Sequence, residues 1–287
     1  MNTDNTRVYR SKDLHWVGNG FPVRSIFGYN DLDKQLSPFL LMDYAAPYEF
    51  SPSNEKRGVE GQPHRGCETV TIAYQGEVEH RDSSGGGGII GPGDVQWMTA
   101  ASGLVHEEFH SSKFTNAGGL FEMIQLWVNL PAKDKNVAPG YQSLAKANIP
   151  VVSFPKTIGE ARIIAGELYG VKGAAKTFTP INIWDASMAE NSSLELPVPQ
   201  GHTKAILVRS GQLAIGENYA GPGELAIMDR DSSMVKLVAK SNTQFVVLTG
   251  EPIDEPVVGY GPFVMNSDAE IKQAFADYKM GKFGFLD

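Results

Sequence analysis

An internal repeat of glycine-rich turns between short apolar segments constrains the fold of this chain more than any other feature. Gly76–Val78 is followed by Gly91–Val95, and far downstream Gly211–Leu213 is followed by Gly221–Leu225, with Gly-Pro-Gly-acid in both second segments. The interval is longer in the first copy, where Ser83–Gly88 extends a predicted hairpin loop. A loop tolerates such an insertion at small cost. Each copy therefore reads as strand, glycine turn, hairpin, Gly-Pro-Gly turn and strand, which predicts two tandem β-barrels.

Alternation of apolar residues with a period of two supports an all-β fold. Both alternating stripes of Phe121–Leu130 are largely apolar, which predicts a strand covered on both faces. Further strands are predicted at Lys204–Arg209, Glu224–Met228, Val235–Ala239 and Gln244–Thr249.

A short helix is predicted at the C-terminus, where Ser267 and Glu270 form a capping box. The prolines and polar residues of Pro131–Pro150 interrupt the strand pattern and predict the junction between the barrels. We therefore place the first barrel in residues 1–133, and the second barrel with the C-terminal helix in residues 134–287.

The composition limits the classes of function. The 287 residues carry a net charge of −8, which disfavours direct contact with the phosphates of nucleic acid. The single cysteine, Cys67, excludes an internal disulfide and favours a reducing compartment. No apolar run approaches the ~18 residues that a membrane helix requires, and the start lacks an apolar signal core. We predict a cytoplasmic protein that does not associate with membranes.

Two pairs of polar side chains in the first copy have the spacing of metal ligands on strands. Gln62 and His64 are two residues apart, and so are His106 and Glu108, so each pair shares one face of a strand. If the two strands are neighbours, the four side chains converge inside the barrel. Two imidazoles and one carboxylate are the set that holds non-heme Fe(II), whereas a structural zinc site prefers four ligands, usually with thiolates. Each pair alone is equally compatible with ordinary strand residues.

The second copy lacks this set. Alignment of the repeats places Lys236 and Val238 opposite His106 and Glu108, and Pro199 opposite His64. A shared scaffold does not explain ligands that only one copy carries, so we predict a metal site in the first barrel and no metal ligands in the second.

Several stretches resemble conserved blocks of the pirin family of bicupins. They are Pro38–Asp43, Pro63–Thr71, Pro92–Ala100, Gly103–Glu108, Gln125–Pro131 and Gly250–Asn266. The resemblance implies two cupin barrels of the jelly-roll type, with one mononuclear iron in the N-terminal barrel.

The family pattern assigns the metal ligands to a His-Pro-His and a His-x-Glu. His64 matches the second histidine of the first motif, and His106 and Glu108 match the second motif, whereas Gln62 stands in place of the first histidine. An amide oxygen is a weaker and harder donor than an imidazole. We therefore expect Fe(II) at His64, His106 and Glu108, with Gln62 as a fourth ligand, or else a site that prefers Mn, Ni or Zn or has lost its metal.

The resemblance also implies a reaction, because members of this family are similar to quercetin 2,3-dioxygenases. A flavonol could chelate the metal through its 3-hydroxyl and 4-carbonyl oxygens, which would lower the pKa of that hydroxyl. Glu108 is then the candidate catalytic base. Trp127 and Phe121 are candidates for the wall of a planar slot, or else ordinary core residues.

Two alternatives to the dioxygenase remain open. One is a regulatory protein whose metal or redox state controls binding to a transcription factor or a metabolic enzyme. The other is a degenerate bicupin that binds no metal and serves only as a binding module.

Four further residues near the motifs are assigned from position alone. Cys67 is predicted to be a small core residue on the face opposite His64. Glu68 is predicted either to accept a hydrogen bond from an imidazole or to pair with Arg65. His80 and His110 are predicted to line the entrance of the pocket or to be solvated.

Overall fold

The computed structural model describes residues 6–10, 13–30 and 33–286. The strands are β1 (Arg7–Arg10), β2 (His15–Val17), β3 (Phe21–Phe27), β4 (Phe39–Phe50), β5 (Gly58–His64), β6 (Cys67–Gln75), β7 (Val78–Asp82), β8 (Gly87–Ile90), β9 (Val95–Thr99), β10 (Leu104–His110), β11 (Gly119–Asn129), β12 (Gly140–Leu144), β13 (Val151–Ser153), β14 (Gly159–Ala165), β15 (Glu167–Leu168), β16 (Val171–Lys172), β17 (Ile181–Met188), β18 (Ser193–Pro197), β19 (Thr203–Ser210), β20 (Leu213–Ile215), β21 (Asn218–Ala220), β22 (Glu224–Met228), β23 (Met234–Ala239), β24 (Thr243–Gly250), β25 (Val258–Tyr260) and β26 (Phe263–Met265). The α-helices are α1 (Asp33–Leu36), α2 (Ser112–Ala117) and α3 (Asp268–Lys279), and short 3-10 helices span Ala132–Asp134, Lys146–Asn148 and Pro155–Thr157.

The chain forms two compact units, and each is built from segments that are distant in sequence. The first unit contains residues 13–33, 39–146 and 253–287, and the second contains residues 1–12, 34–38 and 147–252.

The first unit contains two antiparallel sheets. A seven-stranded sheet has the order β12-β9-β6-β11-β4-β3-β2, and a four-stranded sheet has the order β5-β10-β7-β8. Buried side chains from both sheets form one apolar cluster, which includes Val78, Ala73, Met123 and Phe121. The hairpin β25-β26 and α3 complete this unit.

The second unit repeats this spatial order of strands, although its edge strand β1, the counterpart of β12, comes from a different position in the chain. Its large sheet has the order β1-β22-β19-β24-β17-β14-β13 and its small sheet the order β18-β23-β20-β21. The short pair β15-β16 is an addition. Each strand of the first unit's two sheets thus has a counterpart here, which confirms the repeat and the all-β bicupin fold.

Most of the predicted strands and the predicted C-terminal helix are observed. The four strands expected between residues 204 and 249 are β19, β22, β23 and β24. Helix α3 begins after Ser267, whose hydroxyl accepts a hydrogen bond from the backbone N–H of Glu270 at 3.3 Å. The Glu270 carboxylate accepts from the backbone N–H of Asn266, one residue earlier than a standard capping box requires.

The boundary at residues 133 and 134 stays a prediction, and the contacts group the segments around it differently. Pro131–Pro150, expected to lack strands, contains β12, which pairs with β9 in the first unit. The C-terminal helix, expected with the second barrel, belongs to the first unit. Buried Lys135 illustrates the reason, because its ammonium donates to the carbonyls of Gly66 and Val264 and so ties the C-terminal segment to β6.

Candidate metal centre

The candidate site lies on three neighbouring strands of the four-stranded sheet. In the β10 register, His106 stands opposite Gln62 of β5 and opposite Asp82 of β7, and Glu108 stands opposite His80. Residues directly opposite each other in an antiparallel pair point to the same side of the sheet. The register therefore brings the predicted strands together and places Gln62, His106 and Glu108 on one face.

A glycine turn positions His64 at the end of β5. Gly66 has φ +82°, and a Cβ there would come within 2.1 Å of the Val264 carbonyl oxygen, so only glycine fits this turn. The chain passes through this turn from the four-stranded sheet into β6 of the seven-stranded sheet.

The predicted ligands are buried, except for Gln62, which stands where the family pattern has a histidine. His64, His106 and Glu108 are 3%, 1% and 2% exposed, whereas Gln62 is half-buried. The rings of His64 and His106 lie 4.8 Å apart, centroid to centroid.

The closest group of metal donors includes a histidine that the sequence did not assign as a ligand. One donor atom each of His80, His106 and Glu108 lie within 4.8 Å of one another. His80 is 1% exposed, so it neither lines an entrance nor is solvated. Asp82, two residues away on the same strand face, was the sequence signal that could have marked His80 as an inward-facing residue.

Two imidazole nitrogens at this site have no hydrogen-bond partner. They are Nδ1 of His64 and Nε2 of His106, both buried. Buried polar atoms in folded proteins are nearly always satisfied, so an unpartnered lone pair here fits a metal ion. Burial lowers the pKa of His64 well below its usual value and that of His106 to about 3. The neutral form favoured in this way is the form that binds metals.

Three side chains of the seven-stranded sheet hold Glu108. Its Oε1 accepts hydrogen bonds from Thr71 Oγ1 at 3.2 Å and from Gln96 Nε2 at 2.5 Å, and its Oε2 accepts from Gln125 Nε2 at 2.7 Å. The Tyr141 hydroxyl donates to Gln96 Oε1 at 3.4 Å. The carboxylate is thus oriented by donors only, as suits a metal ligand or a proton acceptor.

A second buried carboxylate lies behind His106. His80 Nε2 is 3.0 Å from Asp82 Oδ2, and His80 Nδ1 is 3.3 Å from His106 Nδ1. Burial acts to raise the pKa of Asp82, but the hydrogen bonds from His80, Ser84 and Gly86 outweigh it and lower that pKa to about 2. The ring of Tyr141 stacks on His80 at 5.0 Å.

His110 does not belong to the site. Its ring stacks on Phe121 at 4.6 Å, edge-on to Phe50, and its Nε2–H donates to the carbonyl of Gly20. His110 and Phe121 are therefore core residues. Trp127 instead contacts a candidate ligand, since its ring lies 5.0 Å from that of His64.

The neighbours of His64 in sequence serve the scaffold. Cys67 is fully buried beside Leu40 and Val264, which confirms its prediction as a core residue. Glu68 was expected to meet an imidazole or Arg65, but it accepts hydrogen bonds from Trp97 Nε1 and Thr99 Oγ1. The reason is its register, since Glu68 pairs with Thr99 of β9.

The small sheet of the second unit has other residues at the equivalent positions. On β23, the counterpart of β10, the register with β20 makes buried Val235 and Leu237 the equivalents of His106 and Glu108, and not Lys236 and Val238 as the repeat alignment predicted. The second unit's core cluster consists of apolar side chains that include Leu196, Leu213 and Leu237.

Among the described residues, no helix combines the length and apolar character that are needed to cross a membrane.

Comparisons with known proteins agree with this fold. Residues 20–128 match the family model described as Pirin, and residues 183–284 match the Pirin C-terminal cupin domain. A Pseudomonas aeruginosa protein named "putative quercetin 2,3-dioxygenase" is 53% identical over 96% of this chain and 96% of its own length.

Solved structures show the same architecture. The crystal structure of a quercetin 2,3-dioxygenase from Acinetobacter baumannii superposes with a TM-score of 0.95 at 51% identity, over 98% of both chains. The bacterial pirin YhhW from Escherichia coli, in complex with nickel(II), superposes with a TM-score of 0.67 at 17% identity, over 86% of this chain and all (100%) of its own. The repeated barrels, the buried His-His-Glu cluster and the matches over both halves together establish that the chain belongs to the pirin family.

Proposed function

We propose that this protein binds one Fe(II) ion through His64, His106 and Glu108, with Gln62 beside them, and opens a flavonol with O₂. The observation that carries the metal site is the pair of buried imidazoles whose Nδ1 and Nε2 atoms lack partners. In contrast, both nitrogens of His80 have hydrogen-bonding neighbours. This difference supports His64 rather than His80 as the second histidine ligand.

The donor set supports a divalent transition metal. Imidazole suits iron, nickel and zinc, and two imidazoles with one carboxylate are typical of non-heme Fe(II) oxygenases. The nickel(II) complex of the Escherichia coli pirin makes Ni(II) a suitable probe for this site.

The names of the two relatives with more than half of their residues identical support the reaction. When bound, Fe(II) would supply Lewis-acid and one-electron chemistry toward a flavonol and O₂. Glu108 accepts the proton of the flavonol 3-hydroxyl at a carboxylate oxygen, and Thr71, Gln96 and Gln125 keep that carboxylate in place. The indole of Trp127 offers an apolar contact next to His64.

The test combines metal analysis with an oxygen electrode. Protein without a histidine tag is analysed for metal, loaded anaerobically with Fe(II), and mixed with quercetin and O₂. Glu108→Gln should lower the rate of O₂ uptake by about 10²-fold or more. Glu107→Gln is the matched control, because Glu107 lies next in sequence but pairs with Arg81. Equal rates for both variants would contradict the role of Glu108.

A second candidate is a metal-dependent binding protein, which the near-complete burial of His64, His106 and Glu108 favours. Metal that binds with a dependence on His106, but without quercetin-dependent O₂ uptake, would select this function over the dioxygenase. Failure to bind Fe(II), Mn(II), Ni(II) or Zn(II) would refute both and leave a metal-free binding module.

A further inference from the structure

The residues behind His106 form a chain of hydrogen bonds that starts at a carboxylate. Asp82 Oδ2 lies 3.0 Å from His80 Nε2, and His80 Nδ1 lies 3.3 Å from His106 Nδ1. All three side chains are buried. The opposite ring nitrogen of His106, Nε2, has no partner.

The donors around Asp82 determine which atom donates in the first hydrogen bond, the one between Asp82 and His80. Oδ1 accepts hydrogen bonds from the backbone N–H of Ser84, the Ser84 hydroxyl and the backbone N–H of Gly86, at 2.8, 2.6 and 3.0 Å. A carboxylate with so many donors is the ionised form, which only accepts. The atom facing Oδ2 must therefore be a donor, so His80 carries its proton on Nε2.

The proton on His80 Nε2 in turn determines which ring nitrogen of His106 carries a proton. The relay requires His80 to be neutral, because only a neutral imidazole protonated on Nε2 keeps a lone pair on Nδ1. His106 must donate its Nδ1–H to that lone pair, and its own Nε2 is left bare. This is the atom that lacks a protein partner.

We propose that Asp82 and His80 act as positioning residues that hold His106 in its Nδ1–H tautomer, so that the Nε2 lone pair is available to the metal. This role rests on the proposed function, because it requires His106 to be a metal ligand. Hydrogen bonding of the remote ring nitrogen is how proteins commonly fix the tautomer of a metal-binding histidine. Here a second imidazole lies between the carboxylate and the ligand.

The substitution Asp82→Asn should reverse the direction of both hydrogen bonds in this series, from residue 82 to His80 and from His80 to His106, with almost no change in side-chain shape. The three donors at Oδ1 require the amide oxygen of the asparagine at that position, which places its NH₂ group opposite His80 Nε2. His80 then carries its proton on Nδ1 and donates it to His106 Nδ1. His106 is left with its proton on Nε2, the tautomer that cannot bind the metal through that atom.

The first measurement needs no metal. In metal-free protein labelled with ¹⁵N-histidine, NMR of the ring nitrogens should show His106 as the Nδ1–H tautomer in the wild type and as the Nε2–H tautomer in Asp82→Asn. Titration with Ni(II) should then show affinity lower by about 10- to 100-fold in the variant. Asp94→Asn is the control, because Asp94 also accepts two backbone N–H groups in a turn but lies outside the chain of hydrogen bonds, and it should leave both measurements unchanged.

A second variant tests the hydrogen bond between His80 and His106 directly. It also keeps the proposal testable if Asp82→Asn does not fold. His80→Phe keeps a ring beside Tyr141 but removes the acceptor of His106. Affinity for Ni(II) should fall by about tenfold or more, and Asp82→Asn added to His80→Phe should cause little further loss, because the relay is already broken. Unchanged tautomers in Asp82→Asn, or unchanged affinity in His80→Phe, would overturn the proposal. Loss of Ni(II) binding in His80→Phe as complete as in His106→Ala would also overturn it, since His80 would then be a ligand.

His106→Ala distinguishes a failure of the relay from a failure of the metal site. If His106→Ala abolishes Ni(II) binding while Asp82→Asn does not weaken it, the metal site stands and the relay is wrong. If His106→Ala leaves Ni(II) affinity unchanged, the proposed metal site itself is wrong.

Discussion

At position 62 an amide lies on the side of the sheet that carries the proposed metal site, opposite His106 in the register. Gln62→His would add an imidazole there, a better ligand than an amide oxygen for iron, nickel and zinc. We expect affinity for Ni(II) to rise by about tenfold or more, equivalent to at least ~1.4 kcal/mol, in calorimetric titrations of the metal-free protein. Gln212→His, which adds a histidine at an exposed position, controls for adventitious surface binding. An unchanged affinity in Gln62→His would show that this side chain does not reach the ion.

Glu68 gives the protein a pH dependence that is separate from the metal site. Burial raises the pKa of Glu68 to about 7 from its ordinary value of 4.5, so the folded state holds a proton that the unfolded state releases between these values. The stabilisation from this proton is complete below pH 4.5 and is lost as the pH rises through 7. Glu68→Gln keeps the acceptor for Trp97 and Thr99 without the ionisation.

We therefore expect the free energy of unfolding of Glu68→Gln to match the wild type near pH 3.5 and to exceed it near pH 8 by up to about 3 kcal/mol. Urea denaturation at a series of pH values measures this difference. Glu60→Gln, at an exposed position, should follow the wild-type curve. Parallel curves for Glu68→Gln and wild type would contradict the assignment.

The residues that sequence reasoning placed best are those whose role depends on strand alternation. Alternation fixes the face on which a side chain lies, so it correctly placed His64, His106 and Glu108 on the buried face, whereas their binding of a metal stays a prediction. The prediction for His80 was wrong, because its burial depends on Asp82 and on the pairing of β7 with β10. The pairing of two strands cannot be predicted from the sequence of either strand alone.

Among the elements, α3 packs on the first unit through buried apolar residues such as Ile271 and Ala274 and also through one carboxylate. Asp277 accepts hydrogen bonds from Lys282 Nζ at 2.8 Å, Arg65 Nη1 at 2.6 Å and Gln273 Nε2 at 2.9 Å. These donors lower the pKa of Asp277, so its contribution to stability is present above pH ~3.8 and is lost as the pH falls through the lower pKa of the folded state.

Asp277→Ala should destabilise the attachment of α3 by about 2 kcal/mol, because Arg65 loses a charged acceptor. Hydrogen exchange of the α3 amides measures the effect, and these amides should exchange faster at pH 7. Asp268→Ala, which removes an exposed acid from the first turn of the same helix, controls for helix propensity and dipole effects. Equal exchange in the two variants would show that the Arg65–Asp277 pair does not anchor the helix.

At the scale of the whole molecule, the repeat could be predicted from the sequence because its turns require glycine. Gly76 and Gly211 have φ +78° and +80°, and Gly93 and Gly223 have φ +95° and +75°, a region that other residues seldom adopt. The unit to which each end of the chain belongs could not be predicted from the sequence. Strand β1 has four residues and pairs with β22, whose Ile227 stands opposite Arg7, and no local pattern reports so distant a partner.

The grouping of residues 253–287 with the first unit predicts how a truncated chain behaves. A chain that ends at Pro252 removes one acceptor from each of two cations, since buried Lys135 loses the Val264 carbonyl and half-buried Arg65 loses Asp277. It also uncovers Val105, which packs against the cluster formed by Phe263 and its neighbours. Each lost hydrogen bond from a charged donor contributes about 1.5–3 kcal/mol, and with the lost apolar contacts this is a large share of the roughly 5–15 kcal/mol that stabilises a typical protein. We expect the first unit to lose its Ni(II) site and its resistance to limited proteolysis, while residues 147–252 stay protected as fragments identified by mass spectrometry. A chain that ends at Gly284, which removes the exposed Phe285, is the matched control. Full Ni(II) affinity in the chain that ends at Pro252 would show that the C-terminal segment is dispensable for the barrel that carries the site.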